Sequence, residues 1–269
     1  MDYFNVKGKV VVVTGGSSGI GYGLAKVFAK AESKLVLVNR NKETGKKAVE
    51  SLREIGADAI SIPTNVRCKD EVVEMFKKVK ENYGKIDVLI NAAGIIVRKL
   101  AVDMTEEDWN SQVDINLKGT FNCCSVVAVY MMEQRSGNII NISSDASKRV
   151  GIHTPAAYAA TKAGIIQMSR VFSMEFIPYN INVNVIAPGF FETPMNEEFR
   201  SKNPDEYEEV KKQMPRGRAG NVIEDLGGVC IFLASKACQH MVGQVLYVDG
   251  GYTVGEGRWN IPEGRIAGS

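Results

Sequence analysis

Seven short runs of β-branched and aliphatic residues punctuate the chain, at residues 9–14, 34–39, 59–64, 87–91, 138–143, 181–187 and 244–249. Longer stretches that mix apolar and charged positions with helical spacing separate them. A strand with one wet face alternates apolar and polar residues, whereas KLVLVN, DVLIN and INVNVIA are apolar almost throughout. Nearly continuous apolar strands alternating with helices are what a parallel sheet covered on both faces requires. The pattern therefore predicts one α/β domain with a seven-stranded parallel sheet.

Helix signals agree. Thr105 precedes three acidic residues, a capping hydroxyl with acids in the first turn. The stretches 105–135 and 156–177 read as long helices, apolar around more of their circumference than one buried face needs, as Val126, Val127, Val129, Met131 and Met132 suggest. A second partner is expected for them. The polar segment 190–213, following Pro188 and Gly189, reads as a lid. Residues 1–254 form the domain, and 255–269, with Arg258, Trp259 and Arg265, read as an appended arm or a frayed end.

Composition narrows the class. The chain has 269 residues, 45% hydrophobic and 24% charged, with a formal net charge of +2. Nothing there points to nucleic acid or a membrane surface. No leader-like opening and no run of about 18 apolar residues occurs, so a cytoplasmic protein is expected. Cys68, Cys123, Cys124, Cys230 and Cys238 form no C-x-x-C pair, and with two histidines no metal site is expected.

Two local patterns carry chemistry. The run at 10–14 feeds the turn Thr14-Gly15-Gly16-Ser17-Ser18-Gly19-Ile20-Gly21, after which a helix opens near Ile20. Gly15 and Gly19 let backbone approach a pyrophosphate, and the helix N-terminus offers unpaired N–H groups. Downstream, Lys162 follows Tyr158 by one helical turn, on the same face. A free tyrosine titrates near pH 10, and lowering that by about three units takes roughly 4 kcal/mol. An ammonium in a dry site, helped by an oxidised nicotinamide ring, is a source of that stabilisation. Alone, Y-x-x-x-K is also the pattern of a surface pair.

Together with Asn91-Ala92-Ala93-Gly94, Asn116, Ser144, Pro188-Gly189, Thr193 and Val248-Asp249-Gly250-Gly251, these patterns resemble the short-chain dehydrogenase/reductase family over residues 6–254. The resemblance implies a Rossmann-type, doubly wound single domain and hydride transfer between a nicotinamide cofactor and a carbonyl or carbinol carbon. It implies Tyr158 as general acid/base, with Lys162 binding the nicotinamide ribose and lowering the tyrosine's pKa. Ser144 would hold the substrate oxygen, and Asn116 a relay water behind Lys162. The cofactor cleft would draw on Gly15, Ser17, Ser18, Gly19, Ile20, Asn39, Arg40, Asn65, Val66 and Asn91. Pro188, Gly189, Phe191 and Thr193, the last on the carboxamide, would complete it with Tyr158 and Lys162. Ala92 and Asn65 depart from the family's usual asparagine and aspartate. The serine lies one position further from Tyr158 than is usual, which leaves Ser143 and Ser144 as candidates; the strand-end pair favours Ser144.

Choice of cofactor rests on the end of the second strand. A carboxylate there binds ribose hydroxyls, whereas an arginine accepts a 2′-phosphate. Asn39-Arg40 favours NADP(H), with NAD(H) the other possibility and Ser17 withholding support. The substrate walls offer Arg98, Lys148, Arg149 and His153 beside Phe190, Phe191 and Met195. NAAGIIVRK and MTEEDW are similar to gluconate and deoxygluconate dehydrogenases, which implies a sugar acid or polyol. A flat ketone such as a steroid, or a 3-ketoacyl group on a carrier protein docked by Arg135 and Arg170, are alternatives. So is a catalytically idle regulator. A homotetramer is the oligomer the resemblance implies.

Overall fold

The computed structural model describes residues 2–151, 154–255 and 257 of the chain. Its strands are β1 (Val10–Thr14), β2 (Lys34–Asn39), β3 (Ala59–Pro63), β4 (Val88–Asn91), β5 (Gly137–Ile142), β6 (Ile181–Pro188) and β7 (Val245–Val248). They pair in the order β3-β2-β1-β4-β5-β6-β7, every pair parallel. β1, β4 and β6 are buried along their whole length, which explains their unbroken apolar runs. Strand order reverses between β1 and β4, opening a crevice beyond their carboxyl ends where Gly15 and Asn91 emerge.

Two apolar clusters cover the faces. Helix α1 (Gly19–Lys30), α2 (Lys42–Glu54) and a late helix, Gly227–Ala234, contribute to one cluster through Leu24, Phe28, Leu52 and Leu233. On the other face lie α3 (Lys69–Tyr83), α5 (Gly119–Gln134) and α6 (Ala156–Phe176), with Phe76, Met131 and Phe172.

Three sequence expectations need refinement. The helix predicted over 105–135 is continuous but carries a π-helical turn in its middle. Thr105 and Asp108 form a reciprocal capping box that starts α4 (Glu106–Gln112), and a π-helical turn, Val113–Lys118, precedes α5. Of the apolar residues taken to mark an outer face, Val126, Val127 and Met131 are core, and Val129 alone of the five is exposed. With Val129, the outward apolar positions of the two stretches are Trp109, Phe121, Val171 and Met174. The polar segment after β6 is helical, with α7 (Glu197–Lys202) and α8 (Pro204–Gln213). His153, Arg258, Trp259 and Arg265 lie outside the described residues.

Candidate active site

The turn after β1 is built for close approach. Thr14 Oγ1 accepts from the N–H groups of Ala92 and Ala93, each at 3.1 Å, fastening β1 to the loop after β4. Gly15 has φ +66° and donates to Val38 O at 2.8 Å; a Cβ there would sit 2.9 Å from Ala93 Cα. Gly19, at φ +53°, starts α1, and a Cβ on it would stand 3.7 Å from Thr193 Cβ. The turn thus faces the segment after β6. Ser18, the N-cap, makes no side-chain cap bond, and the first turn of α1 carries no acid. Its N–H groups and positive helix end suit a pyrophosphate.

At the end of β2 the two predicted residues divide. Asn39 is buried: it donates to Asn41 O and accepts from Ser61 Oγ at 3.1 Å, so its amide knits β2 to β3 and α2. Arg40 is exposed and has no ion-pair partner among the described residues. Ser17 Oγ lies 3.5 Å from Thr44 Oγ1 on α2, bringing the glycine turn alongside. Asn65 accepts from Arg67 N, and Val66 packs where a Gly119 Cβ would be.

The proton-transfer residues meet at the carboxyl ends of β4 and β5. Ser143 Oγ donates to Lys162 O at 2.8 Å, whereas Ser144 Oγ donates to Asp145 Oδ1 at 2.8 Å and acts on the Tyr158 phenol to lower its pKa. Lys162 is buried, donates to Ile142 O at 2.9 Å and lies 5.6 Å from the centroid of the Tyr158 ring. Burial pushes the Lys162 ammonium down to about 8. Burial likewise pushes the Tyr158 phenol up to about 12; the Ser144 bond opposes this, the Asp145 charge adds to it and Arg98 opposes it. Both shifts have one origin, a site too dry to welcome charge.

The π-helical turn explains how Asn116 reaches inward. Its Oδ1 accepts from Ile95 N at 2.8 Å, and its Nδ2 donates to Ile95 O at 3.0 Å and Thr161 Oγ1 at 3.2 Å. A Cβ on Gly94 would sit 3.3 Å from Asn116 Oδ1 and 3.6 Å from Lys162 Nζ, so one small group placed there touches both. Asn91, predicted for the cofactor cleft, is turned inward. Its Nδ2 donates to Asn141 Oδ1 at 2.8 Å, and Asn141 in turn donates to Ser169 Oγ. The side chain ties sheet to helix through Nδ2, while its Oδ1 is buried without a hydrogen-bond partner.

A cleft of about 1050 Å³, including its open mouth, lies over these residues. Ser144, Tyr158, Gly189, Phe191 and Thr193 line it, with Phe199, Val210 and Met214 of the lid segment. Arg98 lines the same cleft with its guanidinium 5.6 Å from the Phe199 ring centroid, and partial desolvation lowers its pKa. No carboxylate pairs with Arg98 among the described residues. Arg149 donates to Tyr252 O and stacks on that ring, 3.7 Å from its centroid. Tyr252 Oη reaches Gln213 Oε1 at 3.1 Å, so the turn after β7 joins the wall. Asp145 opens the segment 145–155 expected to wall the substrate, whereas Tyr252 has no distinguishing spacing in the sequence. Arg135 is engaged with Pro178 O and the Tyr179 ring, and Arg170 with Gln167, on surfaces away from the cleft lining.

A parallel sheet with a glycine turn at its switch point and a Tyr/Lys pair beside it defines a nicotinamide-dependent oxidoreductase. A family model described as enoyl-(acyl carrier protein) reductase matches residues 15–253. The 3-oxoacyl-[acyl-carrier-protein] reductase FabG of Thermotoga maritima is 38% identical over 252 residues, covering 93% of this chain and 99% of that protein. Among solved structures, a gluconate 5-dehydrogenase from Burkholderia cenocepacia in complex with NADP and tartrate is 34% identical. Its TM-score is 0.89, covering 94% of this chain and 98% of that one. An NAD-dependent glycerol dehydrogenase of Listeria innocua is 34% identical over 256 residues, covering 93% of this chain and 96% of that protein. The chain belongs to the short-chain dehydrogenase/reductase family, and its activity is NAD(P)-dependent interconversion of a secondary alcohol and a ketone. No helix among the described residues is long and apolar enough to cross a membrane.

Proposed function

We propose that the protein interconverts an anionic hydroxyketone of the sugar-acid class and its alcohol, using NADP(H). Arg98 carries this reading: it is a guanidinium without a carboxylate partner among the described residues, on the wall that also holds Tyr158. A planar fork of donors suits a substrate carboxylate. The dinucleotide supplies or accepts the hydride. Gly15, Ser17, Ser18, Gly19 and Ile20 receive its pyrophosphate, and Arg40 its 2′-phosphate. Val66 and Asn65 flank the adenine, while Pro188, Gly189, Phe191 and Thr193 wall the nicotinamide end.

Within that frame Ser144 turns its hydroxyl hydrogen from Asp145 Oδ1 to the substrate oxygen while Tyr158 delivers or takes the proton. Lys162 holds the cofactor ribose, and Asn116 holds a relay water behind it. The helices α7 and α8 serve as the lid of the 1–254 domain. The protein is cytoplasmic, which its free cysteines suit, four of them buried. It is a homotetramer, the exposed Phe121, Val129, Val171 and Met174 giving α5 and α6 an apolar face to pair.

The test is oxidation of NADPH and NADH with 5-ketogluconate and with a 3-oxoacyl thioester. The expected outcome is a higher kcat/KM for 5-ketogluconate, with KM raised about tenfold or more in Arg98→Ala. Preference for the thioester, unaffected by Arg98→Ala, overturns the assignment. Tyr158→Phe checks the chemistry in either case: turnover falls by at least about a hundredfold while cofactor affinity holds.

A further inference from the structure

Asp145 is a cleft-lining carboxylate that the reaction just described does not use. It follows Ser144 in a short helical turn, Asp145–Ser147, and its two oxygens differ. Oδ1 accepts from Ser144 Oγ at 2.8 Å and from Ala146 N at 2.8 Å. Oδ2 has no partner among the described residues and is not enclosed. Asp145 lines the same cleft as Arg98, Ser144 and Tyr158.

The charged groups around it do not neutralise it. Arg149 lies near enough to favour the carboxylate, but it donates to Tyr252 and stacks on its ring. Asp249, from the turn after β7, disfavours the charge. Burial is the largest influence and raises the Asp145 pKa; the Ser144 and Ala146 bonds oppose it. A carboxylate oxygen without a protein donor is left to water, which a substrate donor can replace but an apolar group cannot. Asp145 and Arg98 act on the Tyr158 phenol in opposite senses, so opposite charges stand on the wall near the proton donor.

We infer that Asp145 Oδ2 accepts a hydroxyl carried by the substrate next to its reacting carbon, making Asp145 a specificity residue for α-hydroxyketones over plain ketones. The inference rests on the proposed reading in assuming a polar substrate, but it does not need the carboxylate at Arg98. An apolar ketone leaves Oδ2 without a donor, and a site built to bond a hydroxyl discriminates strongly against its absence.

Two substrate pairs test it. 5-Ketogluconate and 5-oxohexanoate share a carbon skeleton, a carboxylate and a carbonyl position, and differ in hydroxyls. Hydroxyacetone and 2-butanone repeat the contrast without a carboxylate, so this pair reports on Asp145 even if the sugar-acid reading fails. Asp145→Asn keeps an oxygen for Ser144 and Ala146 while replacing the open acceptor with a donor; Asp145→Ala removes both. The wild type is expected to favour the hydroxylated member of each pair. Both variants are expected to reduce that kcat/KM ratio by roughly ten- to a hundredfold, the range of a hydrogen bond to a charged group. A purely structural role lowers both members of a pair alike. An unchanged ratio in both pairs overturns the inference.

Discussion

Ser143 Oγ donates to the carbonyl oxygen of Lys162 at 2.8 Å, so the end of β5 is bonded to the helix that carries Tyr158. Its neighbour Ser144 faces the other way, to Tyr158 and Asp145. Adjacent residues in extended backbone point to opposite sides. The two serines therefore cannot exchange roles. Ser144→Ala is expected to lower kcat about a hundredfold with little change in melting temperature, as loss of a donor to the reacting oxygen does. Ser143→Ala is expected to cost about 1 kcal/mol of stability and to leave kcat within a few fold. Steady-state kinetics and thermal melts of both variants check this; the reverse pattern makes Ser143 the substrate donor.

The fold was legible because burial on both faces forces apolar runs, and each predicted strand lies within a residue or two of the observed one. The residues of the site were legible where spacing is mechanistic: Tyr158 and Lys162 are one helical turn apart, and Gly15 and Gly19 adopt positive φ. What escaped was tertiary. That Asn39 faces inward and Arg40 outward depends on Ser61 of β3, a strand that the local pattern around Asn39 does not contain. The π-helical turn inside the 105–135 helix carries Asn116, which grips Ile95, a contact 21 positions away. Asp145 and Tyr252 are ordinary in sequence and meaningful only because β5 and β7 end over the same cleft.

Lys162 makes a pH-dependent contribution to stability. Its folded pKa, about 8, lies below the ordinary 10.5 because it is buried. Below pH 8 the ammonium is charged in both states and the burial cost is fully felt. Between pH 8 and 10.5 the unfolded chain binds more protons than the folded one, so stability rises with pH. A shift of this size corresponds to about 3 kcal/mol. The melting temperature of the cofactor-free wild type is expected to gain on that of Lys162→Met from pH 8 to 10. Parallel curves over that range contradict it.

Arg40 offers a test of cofactor choice that spares the fold, since it is exposed while Asn39 carries the structural bonds. The wild type is expected to have the higher kcat/KM with NADPH. Arg40→Asp exchanges a cation for an anion beside the 2′ position, and is expected to reverse the preference by at least about tenfold. Melting should be nearly unchanged, because surface substitutions away from such bonds are usually within about 0.5 kcal/mol. A preference that does not move shows that Arg40 does not read the phosphate.

Gly94 separates the two roles suggested for Lys162. Its absent side chain leaves the point that is 3.3 Å from Asn116 Oδ1 and 3.6 Å from Lys162 Nζ. If a water beside that point passes protons between Lys162 and Asn116, then a methyl group on Gly94 crowds it out while every named side chain remains. The position does not need a left-handed backbone, so alanine adds volume without backbone strain. Gly94→Ala is expected to lower kcat at least about tenfold, with cofactor affinity and melting temperature close to wild type. Asn116→Ala is expected to fall at least as far in kcat and also to lose stability, because it releases Ile95 and Thr161. Single-turnover hydride transfer and fluorescence titration with NADPH measure the two quantities separately. A Gly94→Ala enzyme with wild-type kcat would exclude the relay and leave Asn116 a clasp on the Ile95 backbone.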